Sequence, residues 1–505
     1  MKMAQKYIRL FIFNGLRLAL FLIALSSVSD VRGQRSFTLE QDRNYWLTSS
    51  SPAALTSFSV PSISSGSLFY AYENGDAFKP LQGSKNNIFG ARVRSYTRLS
   101  DKVVVYGNIS YSNNSVSEMA VSMLIPTDEL IPFDLKEESS ENKGNKRFEY
   151  FNLEGKTGWK LTRLLSLGAG IDYSTGSYAK FRDLRHTNTL MDLDVSGNVF
   201  LTITNSFNLG AGFEYRRRTE TLKFDTFGTT DKVFRTIIDY ANGYGPVETY
   251  GGEGFTDSTH ELPLFSDYLG LNVQASFKNL FFDWTYLRRN GYYGRKSQYT
   301  ALHSTHSGNF FKWNFRCYLK RNPSSLIMID LKAHSELLRT FRTNYRKVTA
   351  SINNSVTYYE YYRPVKMSDK AQQTSSLSMT ACWKPAADIF LWNVIVGADF
   401  LMGKQTAYIF PDAFTKRLNA IRPYAEVERN KMFQNTSVLR CGVKSSMQLN
   451  YLQYWEAGAS ISYEFSIRKN VLRPVAGIEY IYFRGYDDIS ALSRNNITIK
   501  LGVQF

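Results

Sequence analysis

The sequence predicts an all-β chain, an antiparallel transmembrane β-barrel of 18 strands within a range of 14 to 18. Three observations predict it. Stretches of roughly 11–15 residues alternate apolar and polar with a period of two, long enough to cross a tilted barrel wall and longer than a soluble sandwich strand. The turns between them alternate between compact and long, as short periplasmic turns and long outer loops do. The chain ends on one such stretch, closed by the aromatic Phe505.

Composition narrows the alternatives. Hydrophobic residues make up 43% and mean hydropathy is -0.30, which excludes a helical bundle built from repeated apolar runs of about 20 residues. Aromatic residues reach 15%, with 33 Tyr and 35 Phe, a surplus that two interfacial girdles and a lipid-facing surface use. The three cysteines, Cys317, Cys382 and Cys441, exclude a disulfide-built scaffold and a lipid-modified N-terminal cysteine. The net charge of +17 is spread through strands and loops without a recognition motif. That pattern argues against nucleic acid and for the phosphates of lipopolysaccharide and outer-membrane lipid as counter-charge.

At the N-terminus Lys2, Lys6 and Arg9 precede the apolar run Leu18–Leu25, and Val31-Arg32-Gly33 precedes Gln34. Residues 1–33 read as a signal peptide, 34–64 as a periplasmic or lumenal segment, and 65–505 as the barrel. Asn14 and Arg17 interrupt the apolar run, which makes it short for a spanning helix. No later stretch spans as a helix, so membrane residence requires a closed sheet, in the outer membrane.

The alternation is clearest from Asp192. Leu193, Val195, Val199, Leu201 and Ile203 share one face, and Asp192, Asp194, Ser196 and Asn198 the other. After Asn205-Ser206 the pattern resumes with Phe207, Leu209, Ala211, Phe213 and Tyr215. It recurs at Leu269–Phe277, Leu280–Tyr286 and Phe311–Lys320. Compact turns are expected near 100–101, 161–163, 205–206, 278–279, 321–324, 385–388 and 467–470, and long loops near 114–145, 177–189, 220–266, 293–307, 338–370 and 403–417. In the last strand Ile497, Ile499, Leu501, Val503 and Phe505 form one face. That face resembles the C-terminal signal read by the barrel-assembly machinery, an expected partner.

The run Tyr45–Leu55, the segment Gly75–Gly83 and the strand opening near Phe89 resemble a family of uncharacterised outer-membrane barrel proteins of the Bacteroides group, of about 500 residues. The resemblance implies the fold and carries no activity with it. Ser51-Pro52-Ala53 is similar, more weakly, to the Asn-Pro-Ala of fatty-acid-transporter barrels, where the motif belongs to a lumenal hatch. Ser51 stands where that motif has Asn, and a Ser-Pro turn before the first strand accounts for the same residues.

Nothing in the sequence assembles a catalytic or cofactor site. His186, His260, His303 and His306 fall in expected loops, and His303 and His306 lack the further ligands of a zinc shell. Asp192 and Asp194 read as pore lining, because lumen faces are polar by construction. The chain is therefore read as no enzyme, with no cofactor; a lipid-modifying barrel enzyme is the weakest alternative. Arg216, Arg217 and Arg218 are expected at a strand end on the outer rim, as anion or lipopolysaccharide contacts. The loop 220–266, rich in Gly and Tyr, folds into the mouth or projects as a partner surface. The expected function is a passive or gated channel for small solutes, working by pore geometry and lumen charge. The alternative is a non-conducting accessory barrel partnering an outer-membrane uptake or secretion complex. Too few residues precede the first strand for the plug domain of an energised receptor.

Overall fold

A computed structural model describes residues 37–78, 82–119, 122–137, 142–227, 231–251, 262–296, 300–322, 324–350, 356–386, 389–409, 412–433, 437–465, 467 and 472–504. The expected signal peptide, His260 and Phe505 lie outside the described residues. Eighteen strands form one sheet. The first six are β1 (Ser62–Gly75), β2 (Lys85–Arg98), β3 (Val103–Met119), β5 (Gly144–Lys160), β6 (Leu165–Lys180) and β7 (Arg185–Thr204). The next are β8 (Phe207–Asp225), β11 (Leu262–Phe277), β12 (Leu280–Gly294), β13 (Leu302–Asn322), β14 (Ser325–Arg342) and β17 (Val365–Ala386). The last are β18 (Ile389–Ala407), β19 (Phe414–Met432), β20 (Val438–Gln448), β21 (Tyr454–Glu464), β22 (Arg473–Gly485) and β23 (Ser493–Gln504). Five short strands sit in the long loops: β4 (Asp134–Glu137), β9 (Arg235–Asp239), β10 (Val247–Thr249), β15 (Tyr345–Ala350) and β16 (Val356–Tyr361).

Each barrel strand pairs antiparallel with the next in the chain, and β1 pairs with β23 from Ser65↔Gln504 to Gly75↔Arg494. Closure leaves no strand edge exposed, which lipid demands, since no water is present there to satisfy a free N–H or C=O. The architecture is that of a transmembrane β-barrel.

With a side-chain period of two, one face of every strand points outward. Ile109, Leu153, Ile171, Phe213, Leu271, Val396, Val443 and Ile478 are exposed there, a band with no protein neighbour to cover it. Ile497, Ile499 and Leu501 join that band on β23. Alternate residues point inward and many are polar: Asn108, Asn152, Asp172, Asp194 and Asn272 line the inner wall, with Asp172 facing Asp194.

The strands are longer than the alternation suggests. β17 runs 22 residues, and β6 and β7 are joined by Phe181–Leu184 alone where a loop over 177–189 is expected. The reason is visible in Arg185-His186-Thr187-Asn188-Thr189, which opens β7. These residues continue the hydrogen-bond ladder beyond the apolar band, where both faces are polar and the alternation signal vanishes.

Ile499, outward near the middle of β23, tests the lipid-facing assignment. Ile499→Arg is expected to lower the unfolding free energy in phospholipid vesicles by about 2–4 kcal/mol, the cost of a guanidinium near the bilayer midplane. The inward neighbour Thr498→Arg is expected to cost far less. Urea titration of tryptophan fluorescence reads both, and equal costs would refute the assignment.

Candidate functional site

The lumen is built from these inward side chains together with two inserts, one at each end. At the short-turn end the N-terminal segment folds inside the barrel. It consists of helix α1 (Phe37–Arg43) and two 3-10 turns, Tyr45–Thr48 and Pro52–Ser57. Trp46 meets Phe200 edge-on at 4.8 Å and Phe281 at 5.1 Å, and Tyr45 stacks on Phe281 at 4.6 Å. On the other side Phe37, Leu47, Leu55 and Phe58 pack against Tyr96, Val104 and Tyr106 of β2 and β3. Such aromatic contacts add about 0.5–1.5 kcal/mol each beyond area burial.

Polar latches fix this plug. Asp283 of β12 accepts from the Ser50 backbone N–H at 2.8 Å and the Ser50 hydroxyl at 2.6 Å, and Gln274 Nε2 donates to that hydroxyl at 2.6 Å. Tyr318 donates to the Asp42 carbonyl at 2.5 Å, and Tyr96 to the Leu47 carbonyl at 3.1 Å. Ser51, Pro52 and Ala53 lie buried within the lumen against β5 and β6. There the wall has no side chain to spare: a Cβ on Gly168 would sit 2.2 Å from the Ala53 nitrogen.

Asp283→Ala removes both acceptors of Ser50. Backbone amides of residues 45–58 are expected to lose hydrogen-exchange protection by about 1–3 kcal/mol, the cost of stranding a buried polar group. Amides of β12 and β13 should hold theirs. Unchanged protection at 45–58 would remove Asp283 as the latch.

At the long-loop end a cap closes part of the mouth. Strands β4, β9 and β10 form a small sheet, and residues 122–133 dip inward beside it. Phe133, Leu135, Ile238 and Tyr240 of the cap bury themselves against Leu222, Phe224, Leu264 and Tyr293 of the wall, with Phe133 stacked on Tyr293 at 4.0 Å. Wall side chains then satisfy the cap's backbone. Glu220 accepts from Ile125 N–H and Glu336 from Leu130 N–H, both at 2.8 Å. Asn188 donates to the Met123 carbonyl and Arg289 to the Leu130 carbonyl, both at 2.8 Å, and Lys146 to the Ser122 carbonyl at 2.7 Å. Arg289 also pairs with Glu336 at 2.8 Å.

Arg216 and Arg218 belong to this arrangement. They lie well inside β8 and face inward, while Arg217 faces outward against Asp267 at 3.0 Å. The rim position expected for all three is thus corrected, because β8 runs on to Asp225. Arg216 binds Asp192 through two bonds of 2.8 and 2.6 Å and reaches Glu129 of the cap at 2.6 Å. Tyr268 donates to the same carboxylate at 3.0 Å. The loop between β8 and β11 contributes Tyr240 to the mouth and leaves Tyr244 exposed, while Gly252, Gly254 and Phe255 lie outside the described residues.

His186, His303 and His306 are also corrected. They sit buried in β7 and β13, where the strands outrun the apolar alternation. His306 shares a hydrogen bond of 2.9 Å with Ser266 and His186 one of 2.9 Å with Asn188. No cluster of three or more metal-ligating side chains occurs among the described residues.

Two cap carboxyls are perturbed in opposite directions. Burial pushes Glu129 up, but Arg216, Arg289 and Arg218 together outweigh it and hold the group at about 2. Burial raises Asp134 to about 7, with Asp239 adding to the rise and Lys136 opposing it. Asp134 therefore favours the folded cap most when protonated. That contribution is whole below its ordinary value of 3.8 and is lost as pH climbs towards about 7. Hydrogen exchange at residues 122–137, corrected for intrinsic rates, is expected to quicken from pH 5 to pH 8. Asp134→Asn should flatten that dependence; a variant that keeps the wild-type slope would assign it elsewhere.

Cap and plug leave one side of the lumen open. A cavity of about 460 Å³ lies between α1 and the strands β18–β23, β1 and β2. Glu426, Ser460, Lys500 and Arg92 face inward there and remain exposed to water.

A closed 18-stranded barrel with an apolar outer face and a polar, obstructed lumen defines the class as a large outer-membrane-type barrel. The chain belongs to the Family of unknown function (DUF6850), whose model matches residues 52–505. No curated protein matches it. Among solved structures it is similar to the ferric preacinetobactin receptor BauA from Acinetobacter baumannii, with 9% identity over 88% of this chain and 80% of that one, at a TM-score of 0.42. It is also similar to the monoaromatic hydrocarbon channel CymD, with 8% identity over 94% of each chain and a TM-score of 0.34. The toluene transporter TodX of Pseudomonas putida gives 10% identity over 94% of this chain and 99% of that one, at 0.28. The fold itself rests on this chain's own strand order.

Proposed function

We propose that the chain is an outer-membrane channel for small polar solutes, gated by its cap and its N-terminal plug. The observation that carries this reading is the open, water-exposed polar side of the lumen running beside two inserts that are fastened in part by exchangeable polar latches. Ser51-Pro52-Ala53 would then act as a hatch, seated on Gly168 when closed. Transport would depend on pore geometry and lumen charge, without covalent chemistry. Lipid and lipopolysaccharide would surround the barrel, and the face of Ile497, Ile499, Leu501 and Val503, with the terminal Phe505, would engage the assembly machinery.

A second reading has its own observation. Phe227, Val233, Tyr244 and Val247 stand exposed on the cap side. Such residues suit a protein partner, as in a non-conducting accessory barrel of an uptake or secretion complex.

Planar-bilayer recording separates the two. Purified mature protein is expected to show rare, discrete openings. Glu336→Gln, which breaks the pair with Arg289 and weakens the hold on Leu130, should raise open probability several-fold without changing unit conductance. Silence in both proteins, with a partner retained on pull-down, would favour the accessory role.

A further inference from the structure

Inward-facing charge on the open side of the lumen is mostly neutralised in place. Arg422 pairs with Asp399 at 2.7 Å, Lys444 with Glu479 at 2.6 Å, and Arg494 with Glu73 at 2.8 Å. Glu464 takes both Arg440 at 2.5 Å and Arg473 at 2.8 Å. Among the charges that border the 460 Å³ cavity, Arg92, Arg94 and Lys500 have no carboxylate within ion-pair distance among the described residues; the carboxylates of Asp42 and Glu428 line the opposite side, on α1 and β19.

Register places them together. Across β1 and β2, Ser67 faces Arg92 and Ser65 faces Arg94; across β1 and β23, Phe69 faces Lys500. Lys500 is therefore level with Gly90, two strands and about 10 Å away, and Arg92 lies two residues, about 7 Å, further along β2; their long side chains reach towards each other across the cavity. Like charges gathered this way repel one another, and a bound anion would relieve that repulsion.

The donors are also oriented. The Arg94 guanidinium carbon sits over the Phe37 ring of α1, 4.1 Å from its centroid, a cation–π contact that holds the group beside the cavity. Arg92 commits Nε to Asn108 at 2.9 Å, and no acceptor for its terminal nitrogens occurs among the described residues. The hydroxyls of Ser65 and Ser67 border the same cavity.

We propose that the cavity between α1 and strands β23, β1 and β2 binds a small polyanionic solute through Arg92, Arg94 and Lys500. This deepens the channel reading by naming the charge class of the solute, and it rests on the lumen being reachable from solution. Forked guanidinium groups suit phosphate or carboxylate oxygens better than a monatomic halide.

Inorganic pyrophosphate is the probe. Its phosphorus NMR line is expected to broaden on titration with detergent-solubilised mature protein. Replacing all three cations in Arg92→Gln/Arg94→Gln/Lys500→Gln should weaken binding at least about tenfold, since each lost partner is a charge-assisted one. Heat-modifiable gel mobility confirms that the variant keeps its barrel. Should it not, Lys500→Gln alone is measured; among the described residues Lys500 makes no side-chain bond that its loss would break, and binding should weaken several-fold. No broadening with wild-type protein, or equal broadening with the folded variant, overturns the proposal. A bilayer that stays silent while pyrophosphate binds would count against the channel and not against this site; conduction without pyrophosphate binding would do the reverse.

Discussion

The β1–β23 seam is the interaction on which the rest depends. Without it the sheet would present two edges of unpaired N–H and C=O groups to hydrocarbon, each costing several kcal/mol. Once the seam forms, the side-chain period of two divides every strand between lipid and lumen with no freedom left. Glu73 and Arg494, diagonal neighbours across this pair, reinforce it from inside with an ion pair of 2.8 Å. Closure also creates the interior problem that the inserts solve. Eighteen strands enclose more space than wall side chains can fill, so the chain supplies its own filling from the N-terminus and from the long loops.

The two inserts combine apolar seats and polar latches in different ways. The plug is anchored by Trp46, Tyr45, Phe37 and Phe58 in apolar seats on the wall. Withdrawing each such side chain costs about 1.5–3 kcal/mol of burial, and water offers no compensation. The inward-dipping residues of the cap hang from Glu220, Glu336, Asn188, Lys146 and Arg289. Water can replace those bonds one for one, so their net hold is nearer 0.5–3 kcal/mol apiece and falls as the mouth hydrates. Phe133, Leu135, Ile238 and Tyr240 add an apolar anchor to the cap, packed against Leu222, Phe224, Leu264 and Tyr293. The polar latches are thus the part of the cap's hold that hydration weakens.

Much of the barrel was legible in the sequence, and the reasons are physical. Leu193 to Ile203 and Phe207 to Tyr215 alternate because one neighbour is lipid and the other is the lumen, so the pattern survives wherever the wall is membrane-bound. The same rule fails at Arg185–Thr189 and at His303–His306, where the ladder continues among polar surroundings; hence the misplaced histidines and the Arg216–Arg218 run set too near the rim. Ser51-Pro52-Ala53 could be singled out by its resemblance, but its seat could not. Gly158, Gly168 and Gly170 are the signal that was available, three small residues at inward positions on neighbouring strands where a second backbone comes close. The latches of the cap, such as Glu336 to Leu130, join residues far apart in the chain and leave no local trace.

The unpaired cations also connect the inserts to the open side of the lumen. Arg94 touches the plug through Phe37, and Phe37 in turn stacks on Tyr96 at 5.2 Å, whose hydroxyl holds the Leu47 carbonyl. An anion drawn to Arg94 would compete with the face of that ring for the same charge, since a guanidinium desolvated against an aromatic gains about 0.5–2 kcal/mol from it. The plug's first helix is therefore seated beside a stretch of wall whose cations have no carboxylate within ion-pair distance among the described residues. A lumen that neutralised Arg92, Arg94 and Lys500 internally would be more stable by ordinary ion-pair energies. Open to the cavity, they keep their donors available to a mobile anion beside the plug, which is what the proposed site requires.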